Sequence, residues 1–198
     1  MDIAGARTRA GRIATALRRA RSGSAMRDLA GELGAAVLAG PRPPAGVREV
    51  CRALCEAMSA RRGGRPVELR FERFPDEIEV TGLWVEFQDF DLVIVEERAE
   101  AVQQLVILGH ELWHLHAGHR HGVGPGAARA LAGEPDWKDA LTVAARDGSR
   151  QTDEAEADDF GHRLAAVFRP YLSGHGGRQH LAPLERSMGY RGRRGTDR

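Results

Sequence analysis

Apolar side chains recur at intervals of three and four residues in four stretches of the chain, as on one face of an α-helix. We predict that these stretches form helices over Met26–Leu38, Val47–Ala60, Gln103–His116 and Thr152–Phe168. Three shorter runs, rich in β-branched and aromatic residues, predict strands over Val67–Phe71, Gly82–Phe87 and Leu92–Glu96. Shorter helices are also predicted over Ala127–Ala132 and Trp137–Ala145. The pattern indicates an α+β fold, mostly helical with a small three-stranded sheet.

Two changes in composition divide the chain. An Ala- and Arg-rich stretch, for which we expect disorder or a frayed helix, precedes the first predicted helix, and the proline-rich Gly40–Pro44 follows that helix. A polar, arginine-rich tail begins after the last helix. We therefore predict a central domain over 44–172, flanked by a basic, partly disordered segment with one helix at 1–43 and by a tail at 173–198.

The composition is that of an ordinary globular protein. Its 198 residues are 42% hydrophobic and 29% charged, which is enough apolar surface for one core. The net charge of +1 gives no field that would attract nucleic acid or a membrane. We find neither a signal peptide nor a membrane-spanning run, and therefore expect a cytoplasmic protein. Cys51 and Cys55 share an apolar helix face, which predicts buried thiols rather than a disulfide.

The third predicted helix carries His110-Glu111-Leu112-Trp113-His114, which matches the pattern H-E-x-x-H. At roughly 100° per residue, positions i and i+4 lie about 40° apart on one helix face. Both histidines could therefore direct an imidazole at one zinc ion, with Glu111 beside the water that the metal activates. A solvated helix end is the alternative interpretation, but the apolar run Leu105–Leu108 before the motif favours a buried, rigid helix.

A catalytic zinc usually takes a third protein ligand, and one source would be a later histidine. The arrangement H-E-x-x-H-x-x-G-x-x-H requires glycine at position 117 and histidine at position 120, but the chain has Ala117 and Arg120. This arrangement therefore fails. We expect the other histidines of the segment to be solvated loop residues, namely His116, His119 and His121.

The other source is a carboxylate on the last predicted helix. Glu154 and Asp158 are four residues apart and share a face, so one could bind zinc while the other accepts a hydrogen bond from a ligand histidine. Glu156 lies about 200° around the helix from Glu154, so the two cannot bind together. An acidic, solvated helix start is the alternative. A packing face towards the metal helix is predicted from Ala157, Phe160, Gly161 and Leu164.

Together, the segments HELWHLHAGH and EAEADDFGHRLA resemble the ImmA/IrrE family of zinc metallopeptidases, in which H-E-x-x-H precedes E-x-x-A-N-x-F-A on the next helix. Glu154, Ala157 and Phe160 match the family's metal glutamate, alanine and phenylalanine. Asp158 and Gly161 replace its asparagine and alanine. The resemblance covers about residues 45–170 and is closest to the actinobacterial branch of toxin–antitoxin or regulator components.

This resemblance implies a zincin-like fold with one Zn2+ ion bound by His110, His114 and Glu154, and with Glu111 as the catalytic base. Asp158 would accept a hydrogen bond from a ligand histidine. The implied reaction is hydrolysis of a peptide bond in a specific regulatory protein, such as a helix-turn-helix repressor. We therefore expect a protein substrate that is itself a DNA-binding regulator, and neither a membrane nor a nucleic acid as partner.

The sequence is compatible with several alternatives. The strand at Gly82–Glu86 could pair with an extended substrate, and Trp84 would then line a side-chain pocket; ordinary core packing is the alternative for this tryptophan. The interval from His114 to Glu154 is long for the family, so we expect an insertion over 121–150. The chain could also be a non-catalytic, zinc-stabilised toxin–antitoxin or regulator component that acts by protein binding. Its arginine-rich ends could instead bind nucleic acid.

Overall fold

The structure is a computed structural model that describes residues 3–42, 44–76, 80–119 and 151–172. It is mixed α+β, with four helices and one three-stranded sheet in these residues, as the sequence predicts. The predicted short helices, the insertion expected over 121–150 and the tail at 173–198 lie outside them. The elements are α1 (Ile3–Leu38), α2 (Val47–Arg61), β1 (Val67–Glu72), β2 (Gly82–Glu86), β3 (Asp91–Glu96), α3 (Ala101–Ala117) and α4 (Gln151–Leu172).

The sheet has the order β1-β3-β2, so β3 is central. β1 runs parallel to β3, and β2 runs antiparallel to β3, with Trp84 opposite Val93 in the register. Every residue of β3 is buried, which accounts for its almost continuous apolar sequence. In the described part of the chain, β2 is an edge strand that lies next to the motif helix.

The first helix extends further than predicted, because it begins at Ile3 rather than at Met26. Alanine and arginine have high intrinsic helix propensities, so this segment can be helical without an apolar stripe. The stripe that was predicted lies further along the helix and is buried against α2 and α4. It consists of Met26, Leu29, Leu33 and Val37, and it belongs to the same core cluster as the rest of the protein.

The apolar faces of the helices meet in one core. α3 and α4 form the most extensive contact between elements, and α3 also packs against α2, β2 and β3. Cys51 and Cys55 are free and buried, which confirms the prediction of unpaired core thiols, and burial raises the pKa of Cys51 to about 12. No helix in the described ranges combines the length and the apolar character needed to cross a membrane.

A buried carboxylate fixes the hairpin that presents β2 to α3. Asp91 has no solvent-exposed side-chain surface and receives Arg62 Nη2 at 3.1 Å and Arg65 Nε at 2.8 Å. The indole nitrogen of Trp84 donates to the other oxygen of Asp91 at 3.1 Å. Arg65 also donates to the carbonyl oxygens of Phe87 and Phe90. Because these bonds satisfy the buried charge and the hairpin backbone together, β2 is held firmly against β3.

A second ionic cluster orders the turn between β3 and α3. Glu96 accepts the backbone N–H of Phe74 at 3.0 Å and that of Arg98 at 2.9 Å. The Arg98 guanidinium also donates to Glu96, and this hydrogen bond lowers the pKa of the Glu96 carboxyl to about 2. The chain therefore enters α3 from a turn with little freedom, which fixes where the motif helix starts.

Candidate metal centre

The motif helix passes through the core rather than along the surface. Residues Leu105–Gly109, directly before the motif, are all buried, and so are Leu112 and Trp113 within it. His114 is fully buried and His110 is partly exposed, so the two imidazoles lie where the helix leaves the core. Their Nε2 atoms are 3.0 Å apart, as expected for side chains one helical turn apart on one face. The predicted histidine pair is therefore formed.

Helix α4 approaches α3 very closely at two glycines. A Cβ atom on Gly109 would lie 2.7 Å from the Cα atom of Gly161. A Cβ atom on Gly161 would overlap the carbonyl oxygen of Val106, which is backbone and cannot rotate away. Around this crossing, Ala157, Phe160 and Leu164 of α4 are fully buried, which confirms the predicted packing face. The crossing lies one residue before His110, so it controls how near the acidic residues of α4 come to the histidines.

We predict that Gly161→Ala separates the two helices and weakens the site. The added methyl group must push against the α3 backbone, a kind of overpacking that costs about 1–3 kcal/mol and exceeds the gain in helix propensity. Chemical denaturation should show a lower free energy of unfolding, and zinc affinity should fall with it. Gly31→Ala is the matched control, because a Cβ atom there has nothing within 4 Å and the same gain in propensity applies. Equal stability of both variants would contradict the close crossing.

Three side chains meet where these helices cross. Glu154 Oε2 is 3.3 Å from His110 Nε2, and Glu154 Oε1 is 3.4 Å from His114 Nε2. The ligand atoms of all three residues lie within 4.8 Å of one another, so His110, His114 and Glu154 form a possible metal-binding triad. Glu154, which the sequence predicts as the third ligand, thus lies beside the histidine pair.

The donor atoms of the triad suit a zinc ion in kind and in approximate spacing. For ligands about 2.0–2.1 Å from a tetrahedral metal, the ligand atoms should be about 3.3 Å apart. The two histidine Nε2 atoms are 3.0 Å apart, and each has a different oxygen of Glu154 near this distance: Oε2 is 3.3 Å from His110 Nε2, and Oε1 is 3.4 Å from His114 Nε2. Glu154 Oε1 is also shielded from solvent and accepts no hydrogen bond from the residues that the structure describes, which is costly for a carboxylate oxygen unless a cation neutralises it. Two imidazoles and one carboxylate are a usual donor set for catalytic zinc.

Asp158 lies one turn after Glu154 and contacts the first histidine. The distance from His110 Nδ1 to Asp158 Oδ1 is 2.8 Å, so the ring can donate a hydrogen bond to the carboxylate. This bond directs the Nε2 lone pair of His110 at the triad and makes the imidazole more basic. The two carboxylates that the sequence predicts on one face of α4 therefore have different positions. Glu154 lies beside the Nε2 atoms of both histidines, and Asp158 contacts the opposite side of the His110 ring. Glu156, in contrast, is not part of this group of possible ligands.

Glu111 lies beside the triad, under the edge strand. Its side chain is buried against Gly82, where a Cβ atom would come within 2.7 Å of Glu111 Oε1, and the backbone N–H of Trp84 donates to its carboxylate. Burial and, to a smaller extent, the charge of Glu154 raise the pKa of Glu111, the Trp84 bond lowers it, and the resulting pKa is about 8. A carboxylate with this proton affinity is suited to take up a proton near neutral pH. A cation at the triad would favour its ionised form.

The side chain of Trp84 points into the core. Only 4% of the residue is exposed, and its indole N–H is bonded to the buried Asp91. This placement favours the core-packing interpretation over a role in a side-chain pocket. What Trp84 contributes to the site is its backbone N–H, bonded to Glu111.

The structure adds one residue that the sequence did not assign to the site. His119 was expected to be a solvated loop residue, but it is half-buried, with its Nδ1 atom 3.2 Å from His114 Nδ1. His116 instead packs beside Trp113, with ring centroids 5.5 Å apart, and His121 lies outside the described residues. The available signal was Gly118, because a glycine after a helix end commonly turns the chain back over the last turn.

Comparisons of the chain with protein-family models, with curated proteins and with solved structures found no match. The assignment of a function therefore depends on the residues and the geometry described above.

Proposed function

We propose that this protein is a zinc-dependent peptidase. The observation that carries the proposal is the convergence of His110, His114 and Glu154 from two helices, with the buried Glu111 directly beside them. A chance H-E-x-x-H would have no reason to meet a carboxylate from a distant helix, with one oxygen 3.3 Å from His110 Nε2 and the other 3.4 Å from His114 Nε2. Within this class we assign the chain to the ImmA/IrrE type, with a zincin-like fold, on the two motifs that resemble that family.

The proposed chemistry is hydrolysis of an amide bond. When bound, a zinc ion would acidify a water molecule and polarise the carbonyl group of the scissile bond. Glu111 would accept the proton of the attacking water and pass it to the leaving amine. His110 and His114 would hold their Nε2 atoms towards the ion, and Glu154 would provide the negative charge of the ligand set. Asp158 would keep the His110 ring in the orientation needed.

The edge strand supports a peptide as substrate. β2 pairs with β3 on one side and, among the described residues, has no strand on its other side. It crosses α3 at Gly82, beside Glu111. An extended peptide that adds to this edge by backbone hydrogen bonds would therefore pass close to the proposed base. We propose that the substrate is one regulatory protein, such as a helix-turn-helix repressor, an assignment that follows from the family resemblance.

The second candidate is a non-catalytic, zinc-stabilised component that acts by binding a regulator or toxin. It is favoured by the burial of Glu111, because a base must reach the attacking water and this carboxylate is almost fully shielded from solvent. The two candidates share the metal triad and differ in whether Glu111 performs chemistry. Partner binding without cleavage would be the result expected from the second.

Co-expression with candidate substrates tests the proposed function. Helix-turn-helix regulators of the same genome would be expressed singly with the wild-type chain, and their intact masses measured. We expect one regulator to be cut at one peptide bond, cleavage to stop when a chelator removes the metal, and zinc to restore it. Stable binding of a regulator with no change in its mass, at full zinc loading, would contradict the peptidase and support the binding component.

A further inference from the structure

We infer that His119 is a positioning residue for His114, fixing the orientation and the tautomer in which that ring faces the metal triad. The inference rests on the proposed metal site and adds to it a residue that neither motif contains. It assigns the two histidines of the triad different partners, a carboxylate for His110 and a second imidazole for His114.

The two nitrogens of His114 face different neighbours. Nε2 faces the triad, 3.0 Å from His110 Nε2 and 3.4 Å from Glu154 Oε1. Nδ1 faces away from it, 3.2 Å from His119 Nδ1. The rings of His114 and His119 meet edge to face, with centroids 5.4 Å apart and planes inclined by 65°. His114 is therefore held on the side opposite the proposed metal.

The helix end places His119 in this position. Gly118 has φ of 70°, in the left-handed region that glycine adopts without strain, and it ends α3 after Ala117. The backbone N–H of His119 then donates to the carbonyl oxygen of His114 at 3.0 Å. This bond returns the chain over the last turn of the helix, so the His119 side chain lies beside the His114 ring.

Ligand chemistry gives the contact its role. An imidazole that binds a metal through Nε2 carries its proton on Nδ1, and that N–H needs an acceptor. The lone pair of His119 Nδ1 can be this acceptor when the His119 proton is on its own Nε2. The tautomer with a proton on His114 Nε2 would place N–H, rather than a lone pair, towards the triad. With its Nδ1 as the acceptor, His119 would favour the tautomer of His114 that can bind a metal.

Metal affinity tests the inference on three variants of the full chain. His119→Leu fills similar space without a nitrogen, and His119→Asn keeps an acceptor. His116→Leu is the matched control. It removes a histidine from the same helix end, but this histidine packs on Trp113 rather than on the triad. Zn2+ affinity would be measured by competition with a chelator, and the ligand field by the visible absorption of bound Co2+. Denaturant midpoints of the metal-free proteins would be recorded in parallel.

We expect His119→Leu to lower Zn2+ affinity about 10- to 100-fold and to alter the Co2+ spectrum, with an unchanged metal-free midpoint. His119→Asn should recover most of the affinity, and His116→Leu should bind as the wild type does. If His119→Leu binds Zn2+ with wild-type affinity, the role of His119 is overturned, but the proposed metal site is not. Failure of rescue by asparagine, or a midpoint that falls with the affinity, would overturn the inference by assigning His119 a merely structural role. If the wild type itself binds neither metal, the proposed metal site fails as well.

Discussion

Glu111→Gln should abolish peptide-bond hydrolysis while leaving the metal site intact. Glutamine has the size of the glutamate, fits beneath Gly82 and can still accept the Trp84 backbone N–H through its amide oxygen. It cannot accept the proton of the attacking water, so the rate should fall about 10²- to 10⁴-fold. The measurement is the cleavage rate of the regulator identified by co-expression, with the zinc content of each enzyme preparation determined alongside.

Glu156→Gln is the control for this substitution. It makes the same chemical change at a glutamate of α4 that is not part of the triad, and its cleavage rate should be that of the wild type. A Glu111→Gln enzyme that cleaves at the wild-type rate would contradict the proposed mechanism. If the wild type and Glu111→Gln both keep the biological effect of the protein without cleaving a regulator, the chain acts as the non-catalytic component.

Glu154→Gln should cost most of the affinity for zinc. The substitution keeps the shape of the side chain but removes the negative charge that balances the ion. We expect the affinity to fall by at least about 100-fold, more than the loss of a ligand's hydrogen-bond partner causes. Asp158→Asn, which alters only the partner of His110, should therefore have a smaller effect, and Glu156→Gln none. Competition titration of the metal-free proteins with a zinc chelator gives the order directly.

The order of these effects distinguishes the possible ligand sets. Full zinc binding by Glu154→Gln would show that the third ligand is another residue, and Glu156 and His121 would be the next to test. Equal losses in Glu154→Gln and Asp158→Asn would contradict the different positions of the two carboxylates, one beside the Nε2 atoms and one behind His110.

The parts of this account that depend on local periodicity were predictable from the sequence. The strands and the buried motif helix have strong apolar patterns, and the helical repeat alone places His110 and His114 on one face. The positions of Glu154 and Asp158 were harder to predict, because their distances to the histidines depend on how two helices far apart in the sequence cross. Their spacing on one face, together with the family resemblance, was sufficient to predict both contacts.

Other features depend on tertiary packing, which a linear pattern does not contain. The sequence does not show that Gly109 and Gly161 are needed where the backbones of α3 and α4 come into contact. Trp84 fits equally a cleft or a core, and the buried Asp91 decides between them. His119 reaches His114 only because Gly118 reverses the chain. The length of α1 was underestimated for a different reason, since helix propensity there acts without a buried face.

We expect His110, His114 and Glu154 to hold one metal ion. A crystal of the wild-type protein loaded with Zn2+, with diffraction recorded on either side of the zinc absorption edge, tests it most directly. We predict one strong anomalous peak about 2.0–2.2 Å from His110 Nε2, His114 Nε2 and a Glu154 carboxylate oxygen. A zinc-loaded crystal whose peak lies elsewhere, or in which Glu154 is not a ligand, would contradict the account.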